Sequence, residues 1–346
     1  MPADALPGVP RPRDRHVLLG QEEGARALAE ADRSGRLHHA WLIGGPEGIG
    51  KATLAYRFAR FLLAPPSERL AGGDGLGVDP EGRTGRQITA GSHPNLLVLE
   101  RASPDGDKAA PKTVSVDAAR KVLTFFNATA ADGGRRICII DTIDDLTPAA
   151  TNALLKTVEE PPARALVLIC SHAPRRVLPT IRSRCRRLAL PTLPDETVAE
   201  VLRTLGGPTA GLDDARLLRA AASSGGSVAR ALDLLDGKRI ALIDELTGLL
   251  DALPQASPRR VLALADRLGD RRGEADFALA VETVQLWLER RVHEGRHLGP
   301  ARLAPLAEVC ENVGEAARSV ETYNLDRRAF IVTTFGDLAE AVRRAA

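Results

Sequence analysis

Residues 45–53, Gly45-Pro46-Glu47-Gly48-Ile49-Gly50-Lys51-Ala52-Thr53, place glycines and a lysine in a G-x-x-x-x-G-K spacing. They lie between an apolar run, Ala40 to Ile43, and an amphipathic run, Leu54 to Leu63. Glycine permits backbone conformations that turn successive N–H groups inward, and a helix beginning near Lys51 adds the positive end of its dipole to the lysine charge. The chemistry such a turn supports is polyphosphate binding, and the strand–turn–helix context separates it from a glycine turn that holds nothing. Gly45, Gly48, Gly50, Lys51 and Thr53 are therefore candidate nucleotide-binding residues. Ala52, however, stands where a Ser or Thr hydroxyl would ligate magnesium. Thr53 lies about 100° further round the helix and does not replace it. Weak binding of ATP or ADP, without hydrolysis, is the expectation.

A second group is Arg136-Ile137-Cys138-Ile139-Ile140-Asp141, a buried parallel strand that delivers a carboxylate at its C-terminal end, where ligands of open α/β sheets gather. Asp141 is the candidate metal-side carboxylate of the nucleotide site. The next residue is Thr142, which cannot act as a carboxylate base, and Asp144 and Asp145 follow. His172, after the apolar run Ala165 to Cys170, suits a phosphate sensor or a hydrogen-bonded structural histidine equally. The arginines of the stretch Leu178 to Arg187 read, taken alone, as a solvated face. His38 and His39 have no further ligands at metal spacing and read as structural. Cys138, Cys170, Cys185 and Cys310 are scattered, and three of them sit in or beside apolar runs as small buried thiols.

These groups need elements to hold them. Residues 1–14 read as an extended lead-in, and a helix runs from Gly20 to about Ser34. Strands are expected at Ala40–Ile43, Asn95–Leu99, Arg136–Asp141, Ala165–Cys170 and Leu188–Leu190, with helices over Leu54–Leu63, Val116–Phe126 and Pro148–Val158. Residues 64–91 are rich in Gly, Pro and charge and read as a surface insertion that adds little to any core. From residue 191 onward the pattern is helical throughout, with no fixed-period repeat. The chain has 346 residues, enough for two or three domains, with 44% hydrophobic and 27% charged residues, as in soluble globular proteins. Lys plus Arg number 47 against 45 for Asp plus Glu, so no global basic field points to nucleic acid. No apolar run reaches the length of a membrane helix and no signal-peptide pattern opens the chain, so a cytoplasmic location is expected.

The order GPEGIGK, IIDTIDD, NALLKTVEEPP and TIRSRC resembles the AAA+ subunits of bacterial clamp loaders, which open a ring-shaped sliding clamp and place it on primed DNA. The resemblance runs through nearly all of residues 16–190. It implies an α/β AAA+ P-loop domain, a parallel sheet with flanking helices, over residues 1–190, a small helical lid over 191–237 and an all-α collar over 238–346 through which subunits form a ring. It also implies that Arg184, in Ser183-Arg184-Cys185, is an arginine finger offered in trans to the γ-phosphate bound by a neighbouring subunit. Such a finger is worth about 10³–10⁵ in rate.

Three departures separate the chain from the motor members of that family. Ala52 lacks the magnesium hydroxyl, Thr142 replaces the catalytic glutamate, and Ala229 stands where motor subunits carry a nucleotide-contacting arginine, with Arg230 one helical step away. The family's four-cysteine zinc module has no counterpart in the cysteine-free residues 64–91, so no zinc is expected. The implied partners are gamma/tau ATPase subunits and a clamp-opening delta subunit, with the sliding clamp and primed DNA met through the assembled complex and without sequence preference. The alternative is a self-sufficient AAA+ ATPase that remodels nucleic acid or protein.

Overall fold

The computed structural model describes residues 8–101, 113–127, 134–235, 237–270 and 274–345. The first seven residues of the expected lead-in and most of the polar stretch after the second strand lie outside them. The chain divides into two compact units, Met1–Leu232 and Asp233–Ala346.

The first unit is built on a five-stranded parallel sheet in the order β2-β3-β4-β1-β5. Its strands are β1 (Ala40–Gly44), β2 (Leu96–Glu100), β3 (Arg136–Asp141), β4 (Ala165–Ser171) and β5 (Arg186–Ala189). Between them lie α1 (Glu22–Arg33), α2 (Lys51–Leu63), α3 (Arg83–Thr89), α4 (Val116–Asn127), α5 (Pro148–Glu159) and α6 (Pro179–Arg182). The three central strands are apolar without a break because helices cover both faces, and alternation along each strand divides them between two cores. Trp41, Ile43, Ile137, Ile139, Leu166 and Leu168 join Leu28, Leu54 and Phe58 on one face. Leu42, Cys138, Ile140, Val167 and Ile169 join Val122, Ala150 and Leu154 on the other. Each Ile or Leu so buried contributes about 1.5–3 kcal/mol relative to exposure, which fixes β3 in the interior of the sheet. At the β5 edge, Arg186 lies over the Trp41 ring at 5.0 Å.

Residues 64–91 depart from expectation. Leu76, Val78 and Ile88 are buried, and Leu76 and Ile88 belong to the core cluster of α1 and α2. The segment folds through charge and backbone pairing in place of a long apolar run, so its composition conceals the anchors. Arg57 pairs with Asp74, both about one-tenth exposed, and the Glu68 carboxylate accepts from the Arg83 and Thr84 amides at the start of α3 at 3.0 and 3.1 Å. After β5 come α7 (Asp195–Leu205), α8 (Asp214–Ala222) and α9 (Val228–Asp233), of which α7 packs on α8.

The second unit is helical. It holds α10 (Gly237–Asp251), α11 (Pro258–Gly269), α12 (Glu274–Glu294), α13 (Pro300–Tyr323) and α14 (Arg327–Ala345). α12 packs on α10 and α13, and α14 on α11 and α13, around Leu246, Leu264, Phe277, Leu288 and Leu338. Among the described residues no helix is long and apolar enough to cross a membrane.

Candidate functional site

β1 ends at Gly44, and the chain turns through Gly45 to Gly50 before α2 begins at Lys51. Gly48 and Gly50 have φ of +73° and +99°, which a side chain would strain, and there is no room for one. A Cβ on Gly48 would meet Ser227 Oγ at 2.3 Å and the Ala229 methyl at 2.7 Å. The Val228 amide, at the start of α9, donates to the Gly48 carbonyl at 3.0 Å. The turn thus carries a backbone contact from the helices that follow the sheet.

Lys51 is 4% exposed. Its Nζ donates to the Gly45 carbonyl at 2.7 Å and also to that of Pro46. Burial pulls the ammonium below its ordinary pKa, against the opposing pull of Glu47, Asp141 and Asp144. Gly48, Gly50, Lys51, Thr53 and Asp141 all line one cavity of about 500 Å³, with Ala52, Tyr56, Glu100 and His172. Gly45 is not among its lining and takes part through the carbonyl that receives Lys51.

That volume and the buried lysine suit a nucleotide. The donor set for its magnesium is one short, because Ala52 presents a methyl group to the cavity. Ala229, Val228 and Leu232 also line the cavity, whereas Arg230, 6% exposed, does not. The arginine one step along α9 is accordingly directed elsewhere.

Beyond β3 the replacement of glutamate has a structural counterpart. Thr142 is 4% exposed, and its Oγ1 lies 2.8 Å from both Asp144 Oδ2 and the Cys170 carbonyl. Asp144 also accepts from Ser171 Oγ at 3.1 Å and from the His172 and Ala173 amides at 2.7 and 3.3 Å. Burial alone would raise this carboxyl, yet the donors hold it below the ordinary aspartate range. The ends of β3 and β4 are thus tied by a partly solvated carboxylate where an ATPase would direct polar groups at water and phosphate. His172 borders the cavity and gives its backbone amide to the same carboxylate.

Arg184 stands apart from the cavity, just after α6. It is two-fifths exposed, with Nη1 donating to the Thr180 carbonyl at 2.9 Å and Nη2 3.1 Å from Glu159 Oε1 at the end of α5. Cys138 in β3, Cys170 in β4 and Cys185 just before β5 are buried. His39 Nε2 lies 3.0 Å from the Val158 carbonyl and the His38 and His39 rings stack, a structural arrangement. Among the described residues no three His, Cys, Asp or Glu side chains converge as metal ligands.

Sequence reasoning missed Gln21. It is 2% exposed, and its Nε2 donates to the Ile49 carbonyl in the glycine turn at 3.2 Å and to the Pro191 carbonyl after β5 at 2.9 Å. Nothing local marks it, since it precedes two glutamates in an ordinary helical start.

A family model described as DNA polymerase III, delta subunit matches residues 20–194. DNA polymerase III subunit delta' of Pseudomonas aeruginosa is 36% identical over 134 residues, covering 39% of this chain and 37% of that protein. The same subunit of Escherichia coli is 36% identical over 138 residues, again 39% and 37%. DNA polymerase III subunit tau/gamma of Haemophilus influenzae is 28% identical over 290 residues, covering 78% of this chain and 40% of that protein. Each match takes in less than half of the relative's length. With the family model spanning half of the chain and the glycine turn, Asp141 and Arg184 inside the matched region, the chain belongs to the DNA polymerase III delta subunit family, among its delta-prime-like clamp-loader subunits.

Proposed function

We propose that this chain acts in clamp loading during DNA replication as a subunit that hydrolyses little or no ATP itself and lends Arg184 to the ATP site of a neighbouring gamma/tau subunit. The observation that carries this reading is the contrast between an exposed guanidinium after α6 and a home site deprived of its magnesium hydroxyl and general base. Among the described residues, Arg184 is held by the Thr180 carbonyl, Ser183 Oγ and a surface pair with Glu159. An exposed pair of this kind is worth about 0–1 kcal/mol, so a triphosphate gathering negative charge competes for the guanidinium readily. The planar, always-charged group matches the equatorial oxygens of a transferring phosphoryl group.

In this reading the subunit sits in a ring with gamma/tau and delta subunits, with residues 191–237 as lid and 238–346 as collar. It meets the sliding clamp and primed DNA as part of the assembly. Its own cleft holds ATP or ADP weakly through Gly48, Gly50, Lys51 and Thr53.

The test is ATP hydrolysis by the complex reconstituted with gamma/tau and delta subunits and either wild-type chain or Arg184→Ala. The one site facing Arg184 should slow by about 10³-fold or more, removing that site's share of the total. Unchanged hydrolysis refutes the finger, and hydrolysis by the isolated chain at ordinary motor rates refutes the whole reading.

A further inference from the structure

We propose that residues 8–19 form a strap latched across the cleft by Arg60, and that this latch, in place of a magnesium ion, sets the cleft's affinity for a nucleoside phosphate. The proposal rests on the cleft being a nucleotide site and is independent of Arg184.

The strap forms one wall of the cavity. Val9, Pro10, Arg13, Arg15, Val17 and Leu18 line it together with the glycine turn. Leu18 packs onto Gly50, so that a Cβ there would lie 2.8 Å from Leu18 Cδ1. At its other end the strap touches the α7–α8 connection, where a Cβ on Gly207 would meet the Gly8 carbonyl oxygen at 2.2 Å.

Arg60 lies on α2, the helix that Lys51 opens, and is 2% exposed. Its Nη2 donates to the Arg13 carbonyl at 2.7 Å and its Nη1 to that of Arg15 at 3.3 Å. Among the described residues Nε has no hydrogen-bond partner and no carboxylate lies within ion-pair distance of the guanidinium. The neighbouring Arg57 is committed to Asp74. Burial and the Arg57 charge bring the Arg60 pKa down to about 10, against the opposing pull of Asp14.

A buried cation with no carboxylate at ion-pair distance is expensive, and beside the longer-range pull of Asp14 the direct compensation here is two backbone carbonyls, at and just after the 3-10 turn Pro12–Asp14. The dependence is mutual, since those carbonyls would otherwise lack donors among the described residues. A guanidinium whose role is only to fill space on α2 would be served better by a hydrophobe. This one draws the strap onto the helix that carries the phosphate-binding lysine. With Ala52 unable to supply a magnesium ligand at the phosphates, the wall that Arg60 fixes is left to add affinity along the rest of the cleft.

The experiment uses the full chain, wild type against Arg60→Met and Arg60→Lys, with three readouts: hydrogen exchange at the strap amides, trypsin cleavage after Arg13 and Arg15, and titration with a fluorescent ATP analogue in EDTA or in magnesium. Wild type should protect the strap and bind the analogue equally, within about twofold, with or without the metal. Arg60→Met should keep its melting temperature, because an apolar side chain removes the buried charge. Its strap exchange and cleavage should rise, and its affinity fall, by about tenfold or more, with Arg60→Lys in between because one ammonium cannot span both carbonyls.

The proposal is overturned if wild-type strap amides exchange as in a free peptide, if magnesium tightens wild-type binding tenfold, if the wild type does not bind the analogue, or if Arg60→Met frees the strap without changing affinity. Should Arg60→Met fail to fold, the wild-type exchange and magnesium arms still decide. Failure of any arm leaves the Arg184 test untouched, because that test reads the neighbour's site.

Discussion

Asp144 shows how a residue with no motif of its own comes to organise a site. Its carboxylate collects the Thr142 hydroxyl just after β3, the Ser171 hydroxyl at the end of β4 and two amides after β4, so the two strand ends close on each other. Ala52 and Thr142 were legible as departures because each occupies a position whose chemistry is fixed by spacing along one element, and Ala229 only through the family resemblance. Asp144, Gln21 and Arg60 were not, because their partners lie 27 to 170 residues away or in a segment with no periodicity. The folded state holds the Asp144 carboxyl below its ordinary value, so its contribution is complete above the unfolded pKa and is lost as pH falls through the lower, folded one. Asp144→Asn should cost about 1 kcal/mol near pH 7, a modest figure because the carboxylate keeps one edge in water. The gap between wild type and variant should close toward pH 3, about where aspartate protonates. Urea unfolding of both proteins at the two pH values measures this, and a gap that widens on acidification refutes the assignment.

The strands were readable because a parallel strand covered on both faces has to be apolar without interruption, and Ile137 to Ile140 and Leu166 to Cys170 offer no other interpretation. The structure places all five where the pattern does, to within two residues, with β5 the most displaced: a short edge strand led by two arginines. Residues 64–91 were misread because Gly and Pro dominate the local pattern, while Leu76, Val78 and Ile88 are too widely spaced to register as periodic. The segment's attachment is ionic at its centre. Asp74 accepts from the Leu76 amide at 3.1 Å while pairing with Arg57 Nη1 and, at 3.2 Å, Nη2. Removing one partner of a pair this buried leaves the other charged and unsolvated, at a cost of about 3–5 kcal/mol. Asp74→Ala should therefore lower the stability of the sheet unit by about that much and admit proteases between residues 64 and 91, where a detachable surface loop would be cut in wild type and variant alike.

For the whole molecule the question is whether damage in one unit is felt in the other. Each unit closes its own core, the sheet unit around β3 and β4 and the helical unit around α12 and α14. Each also carries one of the chain's 2 tryptophans. Trp41 is 2% exposed in β1, and Trp287 is 5% exposed in α12 with its Nε1 donating to Asp251 at 2.8 Å. Trp287→Phe leaves a reporter for the sheet unit alone, and Trp41→Phe leaves one for the helical unit. If cooperativity stops at the boundary near residue 232, Asp74→Ala should move the Trp41 transition down by about 1 M urea or more, taking a slope of 1–3 kcal/mol per molar for a domain of this kind, and leave the Trp287 transition in place. That outcome fits a subunit whose helical end stays folded while its sheet end answers to ligand and strap. Transitions that fall together would show one cooperative block, and a loosened phosphate cleft would then weaken the ring contacts proposed for residues 238–346 as well.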